Sequence, residues 1–188
     1  MTGVTLPFSC KCGTVHGTLD DITPSAGTQL QCQCDDCRRV VIWLGQPDPG
    51  IDGVRYYQTT PSRVSFDTGP LAAFTWKNAK LIRWYAQCCN TPLFNTLNSP
   101  KWAFASLNTA ALKDPSALGD VKARAFIPKD NGKRGHEKMG VFIWGFAKRI
   151  IGARLSGSWR KTPFFNAAGD PVAPVQALTH TDRDTARL

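Results

Sequence analysis

Through the first half of the chain, apolar and polar residues alternate in short runs, and a period of two predicts strands. Runs of this kind occupy 14–19, 28–33, 54–58, 63–67, 71–76 and 81–86. Turn formers such as Pro47-Asp48-Pro49-Gly50 and Thr68-Gly69-Pro70 separate them. Short strands at that spacing read as a mainly β, β-rich α+β fold, an antiparallel sandwich or barrel. Asp35 and Asp36 are placed to cap a short helix over 37–44 that Gly45 would end. The pattern changes from Asn108. The stretch 109–118 reads as a helix broken near Pro115, and 128–135 as a Lys/Gly-rich loop. Over 140–155 the period becomes helical. There Val141, Trp144, Ala147, Ile151 and Leu155 share an apolar face with Ile143, Phe146 and Ile150, while Gly145, Lys148, Arg149 and Gly152 lie opposite. The apolar face is expected to cover a sheet, although a basic amphipathic helix can also rest on a membrane surface.

The expected organisation is one domain over 1–165, its part from about 108 a basic extension, followed by a loosely ordered tail over 166–188 rich in Pro, Thr and Asp. A chain of 188 residues, 42% of them hydrophobic, can bury one proper core, to which Trp43, Trp76, Trp84 and Trp102 are expected to contribute. No apolar run approaches the ~18 residues of a membrane span. The stretch Met1–Pro7 has neither a basic start nor a long apolar core, so no secretory signal is visible and a reduced, cytoplasmic setting is expected. The formal charge of +9 is concentrated. Between Val121 and Lys161 eleven basic residues face only Asp130 and Glu137, and the rest of the chain balances. Such a block can attract phosphate, an anionic membrane or an acidic small molecule, or simply be a solvated face.

Seven cysteines change the picture more than the charge does. They fall into three clusters: Cys10-Lys11-Cys12-Gly13, Cys32-Gln33-Cys34-Asp35-Asp36-Cys37, and the vicinal pair Cys88-Cys89. In a reduced compartment a disulfide framework is not expected, and buried thiols at random would not produce two C-x-C pairs about twenty residues apart. Closely spaced thiolates suit a soft metal, zinc by default; four close a structural site, whereas three leave a position for water or substrate. Two zinc ions are therefore expected. His16, His136 and His180 stand outside any ligand-spaced motif.

With these residues the chain resembles the glutathione-dependent formaldehyde-activating enzymes and the related centromere-protein-V-like proteins (GFA-like), over roughly Leu6 to Leu107. Their early C-x-C-G, later C-x-C-x-x-C-R and final C-x-x-C-G-T-P-L are similar to Cys10–Gly13, Cys32–Arg38 and Cys89-Asn90-Thr91-Pro92-Leu93. The resemblance implies an Mss4-like fold of sheets around zinc. It also implies a structural zinc on the early and late cysteines, and a catalytic zinc on Cys32, Cys34 and Cys37. The chain departs from the pattern at the late cluster: Ala86 replaces the first family cysteine, Cys88 is extra, and Asn90 replaces glycine. Neighbours on an extended strand point to opposite faces, so Cys88 and Cys89 need a turn to reach one ion. Two arrangements are open. Both may join Cys10 and Cys12, which is preferred, or Cys88 may complete the middle site as a fourth thiolate and close it.

An open three-thiolate zinc can bind a thiol and lower its pKa, giving a nucleophile toward a small electrophile. By the resemblance the thiol is glutathione, the electrophile formaldehyde, and the activity a carbon–sulfur lyase forming or breaking S-hydroxymethylglutathione. Arg38 and Arg39, directly after Cys37, are candidates to offset the negative charge of the site or hold a substrate carboxylate. The alternative is a non-catalytic, zinc-stabilised binding module whose basic face contacts nucleic acid or an acidic partner.

Overall fold

A computed structural model describes residues 3–23, 25–76 and 80–185. The strands are β1 (Val4–Ser9), β2 (His16–Ile22), β3 (Thr28–Cys32), β4 (Val54–Thr59), β5 (Val64–Thr68), β6 (Leu71–Trp76), β7 (Leu81–Ala86), β8 (Thr91–Leu97), β9 (Ala105–Asn108), β10 (Ala123–Pro128), β11 (Arg134–Glu137) and β12 (Val175–Leu178). The helices are α1 (Asp35–Trp43), α2 (Met139–Ser156) and α3 (His180–Thr185). The protein is mainly β, as its alternating pattern requires. Strands β6 and β7 have the bounds read from the sequence. The expected broken helix at 109–118 is instead two short 3₁₀ turns, Thr109–Ala111 and Ser116–Leu118. The first is held by the Asn108 side chain, which accepts from the Ala110 amide at 3.1 Å. The Lys/Gly-rich segment is the tip of the β10–β11 hairpin.

Strands β1, β2 and β5 form a small antiparallel sheet, and the other nine run in the order β11-β10-β3-β4-β9-β8-β7-β6-β12. The large sheet is mixed rather than purely antiparallel: β10 lies parallel to β3, and β12 parallel to β6. Both parallel partners come from the part of the chain beyond residue 108. The part beyond 108 is thus built into the sheet. Within 166–188, expected to be loosely ordered, β12 pairs with β6 from Val175↔Ala73 to Leu178↔Trp76. Leu178 is buried with Val40, Leu44, Phe74 and Trp76, and this packing holds Val175–Leu178 against the sheet.

The main core lies where the small sheet meets β7, β8 and β9, and aromatic edges dominate it. Phe8 meets Phe94 at 5.1 Å, and Phe164 meets Phe94 at 5.2 Å and Trp84 at 5.3 Å between ring centroids. Edge-on and tilted rings at these separations add to their area burial. Phe164, delivered from beyond α2, is fully buried. Trp84, Trp76 and Trp43 pack as expected, whereas Trp102 is exposed.

Helix α2 is turned the other way from its expected face. Met139 and Phe142 pack on Leu30, Ala123 and Ala125, Phe146 meets Phe104 at 5.5 Å, and Ala153 is buried. Arg149 Nη1 donates to Thr28 Oγ1 at 3.1 Å. A Cβ on Gly145 would stand 2.9 Å from that same Thr28 oxygen, so glycine admits the close approach. Val141, Trp144, Ile151 and Leu155 face outward. The helix is apolar nearly all round, so periodicity alone selects no unique buried face. Small residues and the Arg149 stem decide it.

Truncating Phe164 to alanine is expected to cost about 3–5 kcal/mol of unfolding free energy in urea titrations of the metal-loaded protein. Leu155→Ala, on the outward face, is expected to change it by less than about 0.5 kcal/mol. Equal costs would mean that α2 packs through the other side.

Candidate metal centres

The early knuckle is shaped by its backbone. The Cys10 amide donates to Val15 O at 2.7 Å and Gly13 to Cys10 O at 3.0 Å, with Gly13 at φ 80°, a conformation glycine adopts without strain. The Val15 amide then points at Cys10 Sγ, 3.2 Å away. The late pair sits in a turn between β7 and β8. The amides of Cys89 and Asn90 both return to Ala86 O, at 3.4 and 2.8 Å, and Asn90 holds φ 54°. Asparagine is among the few residues that tolerate this left-handed state. This is the turn that lets adjacent cysteines face one point.

The sulfurs of Cys10, Cys12, Cys88 and Cys89 all lie within 4.8 Å of one another. Individual separations are 3.5 Å for Cys10–Cys12, 3.7 Å for Cys10–Cys88, 3.2 Å for Cys12–Cys88 and 3.8 Å for Cys88–Cys89. Four sulfurs around a tetrahedral ion, at a metal–sulfur length near 2.3 Å, stand roughly 3.8 Å apart. The cage fits a soft metal ion, and all seven cysteines are free thiols. Thr91 supports it: its hydroxyl is 3.0 Å from Cys89 Sγ and accepts from the Lys11 amide at 3.1 Å. A hydrogen bond with the Thr14 hydroxyl is the chief cause lowering the Cys12 thiol to about 6. Cys88, pressed by Cys12, is pushed up to about 12.

Cys32, Cys34 and Cys37 form a second cage within the same 4.8 Å limit. Cys32 ends β3 and is buried, and Cys34 is the N-cap of α1, a place expected for Asp35 or Asp36. Cys34 Sγ accepts from the Cys37 amide at 3.3 Å and lies 3.4 Å from Cys32 Sγ. A helix N-terminus favours thiolate. Cys88 and Cys89 belong to the first cage, so the preferred arrangement is the one the fold adopts. Among the described residues no histidine joins either cluster.

Behind this cage stands Arg83, to which the cysteine spacing does not point. It points inward from β7 and is buried, hydrogen-bonded to the Cys37 side chain, with Nη1 3.4 Å from Asn95 Oδ1 and no protein partner for Nε. Burial opposes its charge, yet the thiol of Cys37 and the Tyr56 phenol restore it and hold the guanidinium protonated. In return Cys37 is held well below the usual thiol range, first by hydrogen bonds with Cys32 and Cys34, then by Arg83 and the Tyr56 hydroxyl, against burial. Cys32 is pushed upward by its hydrogen bonds with Cys34 and Cys37 and by burial. The signal was present in the sequence as a lone cation in the apolar run Leu81-Ile82-Arg83-Trp84-Tyr85-Ala86. Arg38, expected to face the metal or a substrate, is instead in a two-pronged ion pair with Asp48, at 2.6 and 2.5 Å. Arg39 follows it on α1 and is half-buried.

A cleft of about 1160 Å³ runs past the first cage. Cys10, Lys11 and Thr91 line it directly, whereas the second cage borders it only through Val41 and Val54, which pack against Cys32 and Cys37. Gln46, also in its wall, donates to Cys89 O at 3.0 Å and Asn90 O at 3.3 Å, tying the end of α1 to the first cage.

Residues 1–176 match the model of DUF6151, a family of unknown function. No curated protein matches. Among solved structures, the crystal structure of a Rhodobacter sphaeroides protein, a structural genomics target, is similar at 18% identity and a TM-score of 0.43, over 62% of this chain and 97% of that one. A likeness that distant carries neither fold nor function across.

Elemental analysis is expected to find two metal ions per chain, falling toward one in Cys34→Ser and in Cys12→Ser, with neither variant emptying both cages. Because Cys88 holds its proton at neutral pH, metal uptake there is expected to release protons and to weaken as pH falls. Calorimetry in buffers of different ionisation enthalpy reads that release. Arg83→Met is expected to weaken the three-sulfur cage by about 10–100-fold in chelator competition, and Arg38→Ala to leave it nearly unchanged.

Proposed function

This chain is a member of the DUF6151 family, and we propose that it is a two-zinc protein whose three-sulfur centre carries carbon–sulfur lyase chemistry on a small thiol adduct. The observation that carries the reading is the allocation of the late cysteines. Cys88 and Cys89 stand with Cys10 and Cys12, so Cys32, Cys34 and Cys37 offer three sulfurs where a sealed site needs four. Its sulfur-only donor set suits zinc. The resemblance to the glutathione-dependent formaldehyde-activating enzymes supports the same assignment.

Bound by these three cysteines, zinc supplies a Lewis-acidic position that lowers the pKa of an incoming thiol. The protein's own groups do the rest. Arg83 offsets the negative charge that three thiolates place on one divalent ion, and the Tyr56 hydroxyl and Cys37 amide hold Cys37 and Cys34 in position. Cys34 is the least buried of the three and so the most open to an incoming ligand. Lys11, Arg55 and Lys113 in the cleft suit the carboxylates of a peptide-like thiol such as glutathione. In the synthetic direction the thiol sulfur bonds to the carbon of formaldehyde. The thiol proton ends on the former carbonyl oxygen, giving S-hydroxymethylglutathione; the lyase direction reverses both changes.

The second reading is a non-catalytic scaffold with two structural metals. It is favoured by the burial of Cys32 and Cys37 and by the valines between their cage and the cleft. X-ray absorption of the zinc-loaded protein separates the two. Catalysis predicts an average sulfur coordination that rises when glutathione is added, together with faster exchange between formaldehyde and S-hydroxymethylglutathione by NMR, both absent in Cys34→Ser. Sulfur coordination indifferent to glutathione, with exchange at the uncatalysed rate, leaves the scaffold.

A further inference from the structure

Helix α2 uses one face to cover β3 and β10 and leaves the other bare. Among the described residues, half of the large hydrophobic side chains that remain exposed belong to this one helix: Val141 (51%), Ile143 (58%), Trp144 (65%), Ile151 (57%) and Leu155 (85%). At 100° per residue Trp144, Ile151 and Leu155 fall on one line, with Val141 and Ile143 to either side. A continuous apolar ridge of this kind on a folded surface marks a place where something docks.

Charge identifies the occupant. Helix α2 contains Lys148, Arg149 and Arg154 and no acid. The segment 121–161 around it holds the whole +9 excess of the chain, and ten of its eleven basic side chains are exposed. Two such faces brought together would repel, which disfavours a second copy of this chain. A nucleic acid would satisfy the lysines but give Ile151 and Leu155 no apolar partner, since phosphate contacts are polar. A convex ridge with cations beside it suits a surface that is apolar below and negative above. Lys148 Nζ lies 5.6 Å from the centroid of the Trp144 ring. In such a pair the indole can sit at headgroup depth while the ammonium stays with the phosphates. Ten exposed cations in the same segment supply attraction over a Debye length. No helix of the described residues is long and apolar enough to cross a membrane, so the contact is a shallow one.

We propose that the outward ridge of α2 docks on an anionic lipid surface, with Trp144, Ile151 and Leu155 entering the interfacial layer and Lys148 and its basic neighbours meeting the headgroups.

The test uses the full-length, metal-loaded protein and vesicles of phosphatidylcholine with and without phosphatidylglycerol, read by co-sedimentation. Binding is expected to the mixed vesicles, to be weak on neutral ones and to fall with added salt. The triple variant Trp144→Ser/Ile151→Ser/Leu155→Ser is expected to bind at least about a hundredfold more weakly, and Lys148→Glu about tenfold more weakly. These side chains lie outside the core, so an unchanged circular dichroism spectrum and metal content confirm that each variant is folded. Trp144→Phe is expected to keep binding while losing most of the vesicle-induced blue shift in fluorescence, which places that indole in the lipid. Absence of binding to the mixed vesicles overturns the proposal. So does binding that the triple variant preserves, or a dimer in light scattering that the same variant dissolves, which would assign the ridge to self-association.

Discussion

Thiolates repel, and here seven sulfurs from three distant parts of the chain are gathered into two clusters, each within 4.8 Å. The backbone around each cluster is shaped to bring them there. The knuckle at Cys10, the turn at Asn90 and the N-cap at Cys34 are three different backbone solutions to one problem, that of aiming neighbouring side chains at a common point. Each works at an element boundary, where the backbone is free to leave its regular angles. Such clusters ask for a cation at their centre, and the sulfur spacings match a tetrahedral ion. The second cluster already has one cation beside it in the buried guanidinium of Arg83.

Much of this was legible in the residues. Cysteine spacing is local, and the three clusters it marks are the ones from which the two cages are built. The spacing leaves the cage that takes Cys88 open between two arrangements, and the turn at Asn90 settles it. The alternation that marks Leu71–Trp76 and Leu81–Ala86 is likewise local and fell on the true bounds. What was missed depends on distant partners. Val175–Leu178 carries no strong strand signal and becomes a strand because β6 offers it an edge. Arg83 has no evident role until β7 is placed inside the sheet, between β6 and β8. Arg38 reads as a site residue because it follows Cys37 in sequence, but a helix turns each successive residue by about 100°, so adjacency to a ligand does not aim a side chain at the ion.

The orientation of α2 has a similar source. A hydrophobic stripe reports which face is apolar, not which face meets protein, and when nearly every side is apolar the decision passes to size. Gly145 and Ala153 permit a close approach that Trp144 and Leu155 would prevent. The result places bulky side chains in solvent and leaves a charged residue, Arg149, partly buried against Thr28.

The two parallel pairings also constrain how the molecule is made. Strand β3 waits for β10, β6 waits for β12, and the aromatic core waits for Phe164, so a nascent chain emerging from the ribosome holds its cysteines long before it can complete its sheet. Until the last third has been synthesised, the edges of β3 and β6 are open templates for mispairing. Metal capture by the early thiols can precede completion of the fold, and chaperone protection matters most during that interval.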